Sequence, residues 1–176
     1  MANGLTYIRT LHNEAEVDEL AATLAPLLHP GDVLTLNGAL GAGKTRFVQG
    51  VARALGVEGE VTSPTFTIHA QYPTHQGMPL NHFDLYRLEN EDALEDIGYW
   101  EILEGDGVSF IEWADKFPQN APSDFIEVRL SIGEDNIRTI KAHAYGSRAR
   151  RLLCGWASKP EAQWQKAERF YNDCWL

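Results

Sequence analysis

Apolar residues recur at helical spacing at Val17, Leu20, Ala21, Leu24 and Leu28, behind an Asn13 that is followed three residues later by Glu16. A capping residue before a periodic apolar stripe predicts a helix over residues 14–28. Pro26 should bend or end it early, because proline has no backbone donor to give. Pro30-Gly31 turns the chain into Asp32-Val-Leu-Thr-Leu-Asn37, which reads as a short buried strand. A second stripe, Phe47, Val48, Val51, Ala52 and Leu55, predicts a helix from Lys44 that stops at Gly56, where a cap glycine belongs.

Further on the period changes from helical to alternating. Phe66, Ile68, Ala70 and Tyr72 alternate with more polar neighbours, and after a turn over residues 74–77 a second extended run spans Leu80 to Tyr86, which together predict an antiparallel hairpin. Residues 91–103 read as helix broken at Gly98, and Val108-Ser-Phe-Ile-Glu112 as a strand that ends on a carboxylate. Residues 126–132 and 137–145 form a strand pair joined by a turn, and residues 147–176 read as helical. These elements predict an α/β fold: a mixed sheet with flanking helices and antiparallel strand pairs. One principal domain is expected over residues 1–146, with residues 147–176 as a basic and aromatic helical extension.

Composition narrows the class. Hydrophobic residues at 44% and charged residues at 23% suit an ordinary globular protein, and no apolar run approaches the ~20 residues that cross a bilayer. No membrane role is expected. Met1 to Thr10 lacks the pattern of a secretory signal, so a cytoplasmic location is expected. Cys154 and Cys174 form no metal-ligand spacing with the histidines and read as reduced thiols. A net charge of -10 argues against nonspecific binding to a nucleic-acid backbone. Yet residues 138–176 carry eight basic side chains against three acidic, so the tail can face an acidic partner.

The sharpest signal is Gly38-Ala-Leu-Gly-Ala-Gly-Lys-Thr45, which fits G-x-x-x-x-G-K-[ST] at every defined position and lies between a predicted strand and a predicted helix. Backbone N–H groups converge on a phosphate only where the loop wraps closely, and Gly38, Gly41 and Gly43 allow that. The helix starting at Lys44 directs its unpaired N–H groups at the anion, Lys44 adds a full charge, and the Thr45 hydroxyl can ligate Mg²⁺. The candidate nucleotide-binding residues are Gly38, Gly41, Ala42, Gly43, Lys44, Thr45 and Arg46. The fold is therefore expected to be P-loop NTPase-like.

Such a loop needs an acid on a neighbouring strand to hold Mg²⁺ and to position the attacking water. Asp84 and Glu112 both fall at or near strand ends, and position along a strand does not separate their roles. An acid paired with Arg87, or an acid that starts a helix, are the structural alternatives for them. The Asn-Lys-x-Asp segment of guanine-specific proteins is absent from the sequence, which makes ATP the better expectation.

The loop, then Val61-Thr-Ser-Pro-Thr-Phe-Thr67, then His82-Phe-Asp-Leu-Tyr-Arg-Leu88, then Ile111-Glu-Trp113 together resemble the TsaE (YjeE) family over roughly residues 10–145. The resemblance implies a small ATPase that uses ATP and Mg²⁺ and is required for threonylcarbamoyladenosine modification of tRNA. It would act on tRNA indirectly, in a complex with TsaD and TsaB homologues. By the same resemblance Lys44 and Thr45 take the phosphate and metal roles, Glu112 is the second metal ligand and Asp84 the catalytic carboxylate. Ser63, Pro64 and Thr65 resemble a switch-like loop near the terminal phosphate, and Trp113 stacks or packs beside the site. The chain departs from the family pattern at Ala39, where an acidic residue is usual, and near Val17, where a threonine is.

Two other readings of the same residues stay open: a small-molecule kinase on this scaffold, and a nucleotide-dependent binding module without turnover. A kinase would need an arginine-bearing lid, and no arginine-rich insertion lies between the P-loop helix and Glu112.

Overall fold

Three five-residue strands of this chain are buried at every position, which demands cover on both faces of the sheet that holds them. The computed structural model describes residues 5–167. Its elements run β1 (Leu5–Leu11), α1 (Glu14–Leu24), β2 (Val33–Asn37), α2 (Lys44–Ala54), β3 (His69–Tyr72), β4 (Leu80–Asp84), α3 (Asp92–Asp96) and α4 (Tyr99–Leu103). There follow β5 (Val108–Glu112), β6 (Phe125–Ile132), β7 (Arg138–Tyr145), α5 (Ser147–Ala157) and a two-residue β8 (Gln165–Lys166).

The sheet order is β3-β4-β5-β2-β6-β7-β1-β8. β4, β5, β2 and β6 run parallel, and antiparallel pairs close both sides. On one face α1, α2 and α5 bury Leu20, Phe47, Val51 and Leu153 against Leu34, Leu36 and Phe110 of the sheet. On the other, Leu94, Tyr99 and Leu103 of α3 and α4 close over Phe83 and Ile111. This is the expected α/β architecture. The chain leaves β2 with β5 on one side and β6 on the other, and the crevice at the carboxyl end of such a central strand is where α/β sheets take ligands.

Most predicted elements are present. Asn13 caps α1 by accepting the Glu16 N–H at 3.0 Å, and the helix gives way to a tighter turn over Ala25–Leu27 that contains Pro26. Gly98, in the left-handed region at φ 70°, separates α3 from α4. Four points differ. β1 was not expected; it is the partner that satisfies the far edge of β7. The strand expected from Phe66 begins only at His69, because residues 63–68 close on themselves through Thr65 N–H to Ser63 and Ile68 N–H to Pro64, leaving Phe66 83% exposed. The extended run to Tyr86 ends at Asp84, whose carboxylate takes the Tyr86 N–H at 3.0 Å and turns the chain.

The tail is the fourth. The helix expected over residues 147–176 stops at Ala157, and Gln165–Lys166 adds to the sheet beside β1. Alternative side-chain and sheet contacts win there: Arg9 donates to Ala162 at 3.0 Å, Lys159 to Thr23 at 2.9 Å, and the Ala167 N–H to Thr6 at 3.1 Å. Trp156 is fully buried, so it packs within the domain and offers no face for stacking. The thiol expectation is corrected at Cys154, which is disulfide-bonded. Cys174 and the remainder of the predicted tail helix lie outside the described residues.

Candidate functional site

The loop between β2 and α2 wraps as its glycines allow. Gly38 sits at φ 145°, and a Cβ there would lie 2.3 Å from the Leu130 carbonyl oxygen of β6, so no larger residue fits. Gly43 enters α2 at φ 111°, a left-handed conformation that aims the first N–H groups of the helix into the crevice.

Period-two alternation places His82 and Asp84 on the same face of β4, and Glu112 on the corresponding face of β5. Asp84 and Glu112 are register partners on these adjacent parallel strands. Both are buried, at 6% and 3% exposure. The alternative of Asp84 as an acid paired with Arg87 is not what the structure shows: Arg87 lies over the Phe66 ring at 4.3 Å, and Asp84 accepts from Ser63 Oγ at 2.5 Å and from the Tyr86 N–H. Glu112 closes β5 and does not start a helix. It takes the Thr45 hydroxyl at 3.0 Å to each oxygen, and His82 Nε2 at 2.5 Å.

Lys44 is buried and folds back over the loop, donating to the carbonyls of Gly38 and Ala39. Its ammonium also lies 3.9 Å from the centre of the Trp113 ring. Trp113 reaches that position from a left-handed backbone at φ 60° and packs on Tyr86 with ring centres 5.0 Å apart. Burial pushes the Lys44 ammonium below the ordinary lysine range, and Glu112, Asp84 and Asp115 pull it partly back. A cation that is partly desolvated, with carbonyls as its hydrogen-bond acceptors, gains from an incoming anion.

These groups surround one cavity of about 430 Å³. Lys44, Thr45, Ser63, Thr65, Asp84 and Glu112 line it, as do Gly41 and Gly43. Gly38, Ala42 and Pro64 do not line it: Gly38 and Ala42 act through the shape of the loop, and Pro64 is buried behind Ser63. Arg46 is on the wall, but its guanidinium is held by Asp18 at 3.0 and 2.8 Å and by Glu14 at 2.8 Å. His82, Glu14 and Arg138 are among the wall or contact residues that had no role in the sequence reading. His82 stands two residues before Asp84, so strand parity alone could have placed it beside Glu112. Arg138, which donates to the Ala42 carbonyl at 3.1 Å, carries no local signal because β7 is brought to the loop only by the sheet order.

The donors suit a hard cation: a hydroxyl and a carboxylate side by side, next to a loop built for phosphate. Among the described residues no group of three or more His, Cys, Asp or Glu forms a metal cage. A Mg²⁺ that shares phosphate oxygens and water does not need one.

The profile of the family described as "Threonylcarbamoyl adenosine biosynthesis protein TsaE" matches residues 11–140. The chain belongs to the TsaE family. It is similar to the tRNA threonylcarbamoyladenosine biosynthesis protein TsaE of Bacillus subtilis, with 41% identity over 143 residues that cover 81% of this chain and 87% of that protein. The TsaE protein of Treponema pallidum is 43% identical over 65% of this chain and 83% of its own length. The crystal structure of YdiB from Bacillus subtilis superposes with a TM-score of 0.70 at 33% identity, covering 86% of this chain and 94% of YdiB. The match to the TsaE family spans the phosphate loop, both carboxylates and every element from α1 to β6, and leaves most of β1, most of β7 and all of α5 outside.

Proposed function

We propose that this chain binds Mg-ATP and hydrolyses it as the ATPase component of tRNA threonylcarbamoyladenosine modification, in the cytoplasm, with TsaD and TsaB homologues as partners. The tRNA part of this reading rests on the TsaE family and on the names its relatives bear. The observation that carries the nucleotide part is the convergence of Lys44, Thr45, Asp84 and Glu112 on a single cavity. Lys44 and the N–H groups of the loop hold the phosphates. Thr45 and Glu112 would hold Mg²⁺, which neutralises charge on the phosphate oxygens when bound. Asp84 orients the attacking water and accepts its proton.

The state of Asp84 supports weak turnover by the chain alone. Both its oxygens already accept hydrogen bonds, from Ser63 and from the Tyr86 backbone, and a base so engaged is a poorer acceptor for water. Ser63 belongs to the loop at residues 63–68 that exposes Phe66, so a partner that moves this loop would free the Asp84 oxygen that Ser63 holds.

The test is phosphate release from Mg-ATP by the purified chain, alone and with TsaB and TsaD, beside Glu112→Ala. The expected result is slow release that rises with the partners and disappears in the variant. Binding of ATP without release under all these conditions would replace the ATPase by a module that signals through occupancy.

A further inference from the structure

The buried His82 makes one hydrogen bond among the described residues, to Glu112, and its other ring nitrogen has no partner. His82 is wholly buried, between strands and beneath α2, where an apolar side chain would leave no orphaned nitrogen. An imidazole kept in such a place earns its position through the single contact it makes. That contact, at 2.5 Å, ends on Glu112 Oε2, while Oε1 takes only the Thr45 hydroxyl.

We infer that His82 is a positioning residue that locks the carboxylate of Glu112 in the orientation it needs for the cation. This rests on the reading of Glu112 and Thr45 as Mg²⁺ ligands. Thr45 must turn its hydroxyl oxygen toward a cation that it helps to hold, and it then gives up its bond to Glu112. His82 is the group that still fixes Oε2 when Thr45 lets go, so Oε1 stays where the Thr45 hydroxyl had found it. Partners of this kind behind a metal ligand hold it against rotation and contribute about 10- to 100-fold in metal affinity.

The test compares ATP affinity in excess chelator with ATP affinity in saturating Mg²⁺ for the wild-type chain, His82→Leu and His82→Gln, with thermal unfolding measured in parallel. The side-chain amide of Gln reaches about as far as Nε2 and can donate to Glu112. The expected result is that His82→Leu binds metal-free ATP as the wild type does but loses the Mg²⁺-dependent gain by about 10- to 100-fold, and that His82→Gln recovers most of it. Equal losses with and without Mg²⁺, or a leucine variant that keeps the full gain, would overturn the inference. A wild-type chain with no Mg²⁺-dependent gain would sink the metal reading of Glu112 itself. Should the leucine variant not fold, His82→Asn, whose amide falls short of Glu112, takes its place: it must lose the gain that His82→Gln keeps.

Discussion

The Thr45 hydroxyl lies 3.0 Å from each carboxylate oxygen of Glu112, across a separation of 67 residues in sequence. The start of α2 and the end of β5 are thus registered to within one hydrogen bond. Thr45→Val keeps the shape of the side chain and removes that oxygen. A hydrogen bond to a charged group contributes about 1.5–3 kcal/mol, so affinity for Mg-ATP should fall by about 10-fold or more. Metal-free ATP should bind as before, and calorimetric titration in chelator and in Mg²⁺ checks the difference.

Asp84 has the complementary role in the proposed function, and its loss should spare binding. Asp84→Asn retains size and polarity but cannot accept a proton from water. Phosphate release should drop by about 10²- to 10⁴-fold, the usual contribution of a positioned general base. ATP affinity should hardly change. A variant that loses affinity and turnover together would place Asp84 among the binding groups.

The phosphate loop was legible in the sequence because its chemistry is local: glycines, a lysine and a threonine in one run between a strand and a helix. Glu112 and Asp84 were legible as strand-end acids, yet what holds each of them was not, because Ser63, His82 and Thr45 reach them only through strand pairing and loop closure. The same limit explains Phe66, whose place in an alternating pattern implied a strand although the backbone folds back on itself before His69. It explains β1 as well, a strand with no amphipathic partner nearby in sequence that is defined by pairing with β7. Residues 147–157 formed the predicted helix, but their fate as part of the core depended on Trp156 finding Phe47, more than a hundred residues away.

Trp156 provides a test of that packing. It is fully buried, tilted against Phe47 at 6.1 Å and set edge-on against Trp164 at 4.8 Å, and its ring N–H donates to Thr23 Oγ1 at 2.8 Å. Trp156→Ala removes the largest side chain of this cluster and leaves the Thr23 hydroxyl without its donor. Destabilisation of about 3–5 kcal/mol is expected in urea unfolding. A loss below about 1 kcal/mol would mean that α5 is docked loosely and not part of the core.

A pH effect on stability should come from His143, which faces Thr6 across the β1–β7 pair, its Nδ1 2.5 Å from the Thr6 hydroxyl. Burial pushes His143 below the ordinary histidine value, Glu127 pulls it up, and Lys141 and Arg150 push it further down. With the folded value below the unfolded one, the unfolded chain binds more protons between the two, so stability rises with pH through that window. The contribution is complete above the unfolded value and is lost as pH falls through the folded one. Unfolding followed from neutral into mildly acidic pH should therefore show a decline that is shallower in His143→Gln than in the wild type.

Arg138 defines the other end of the cavity. A triphosphate whose terminal groups meet Lys44, Thr45 and Glu112 must extend its nucleoside toward the wall formed by Glu14, Leu40, Arg46 and Arg138. Arg46 is already held by Asp18 and Glu14, whereas Arg138 gives its Nε to the Ala42 carbonyl, donates from Nη1 to the Asn136 carbonyl at 3.5 Å and reaches Glu14 only at 3.9 Å. Its guanidinium has N–H groups left for the part of the nucleotide beyond the loop. Arg138→Ala should therefore weaken ADP binding by about 10-fold, the worth of one charge-assisted hydrogen bond, and leave inorganic pyrophosphate binding unchanged. Equal weakening of both ligands would mean instead that Arg138 props the loop through Ala42, since pyrophosphate fills the loop without reaching the nucleoside wall.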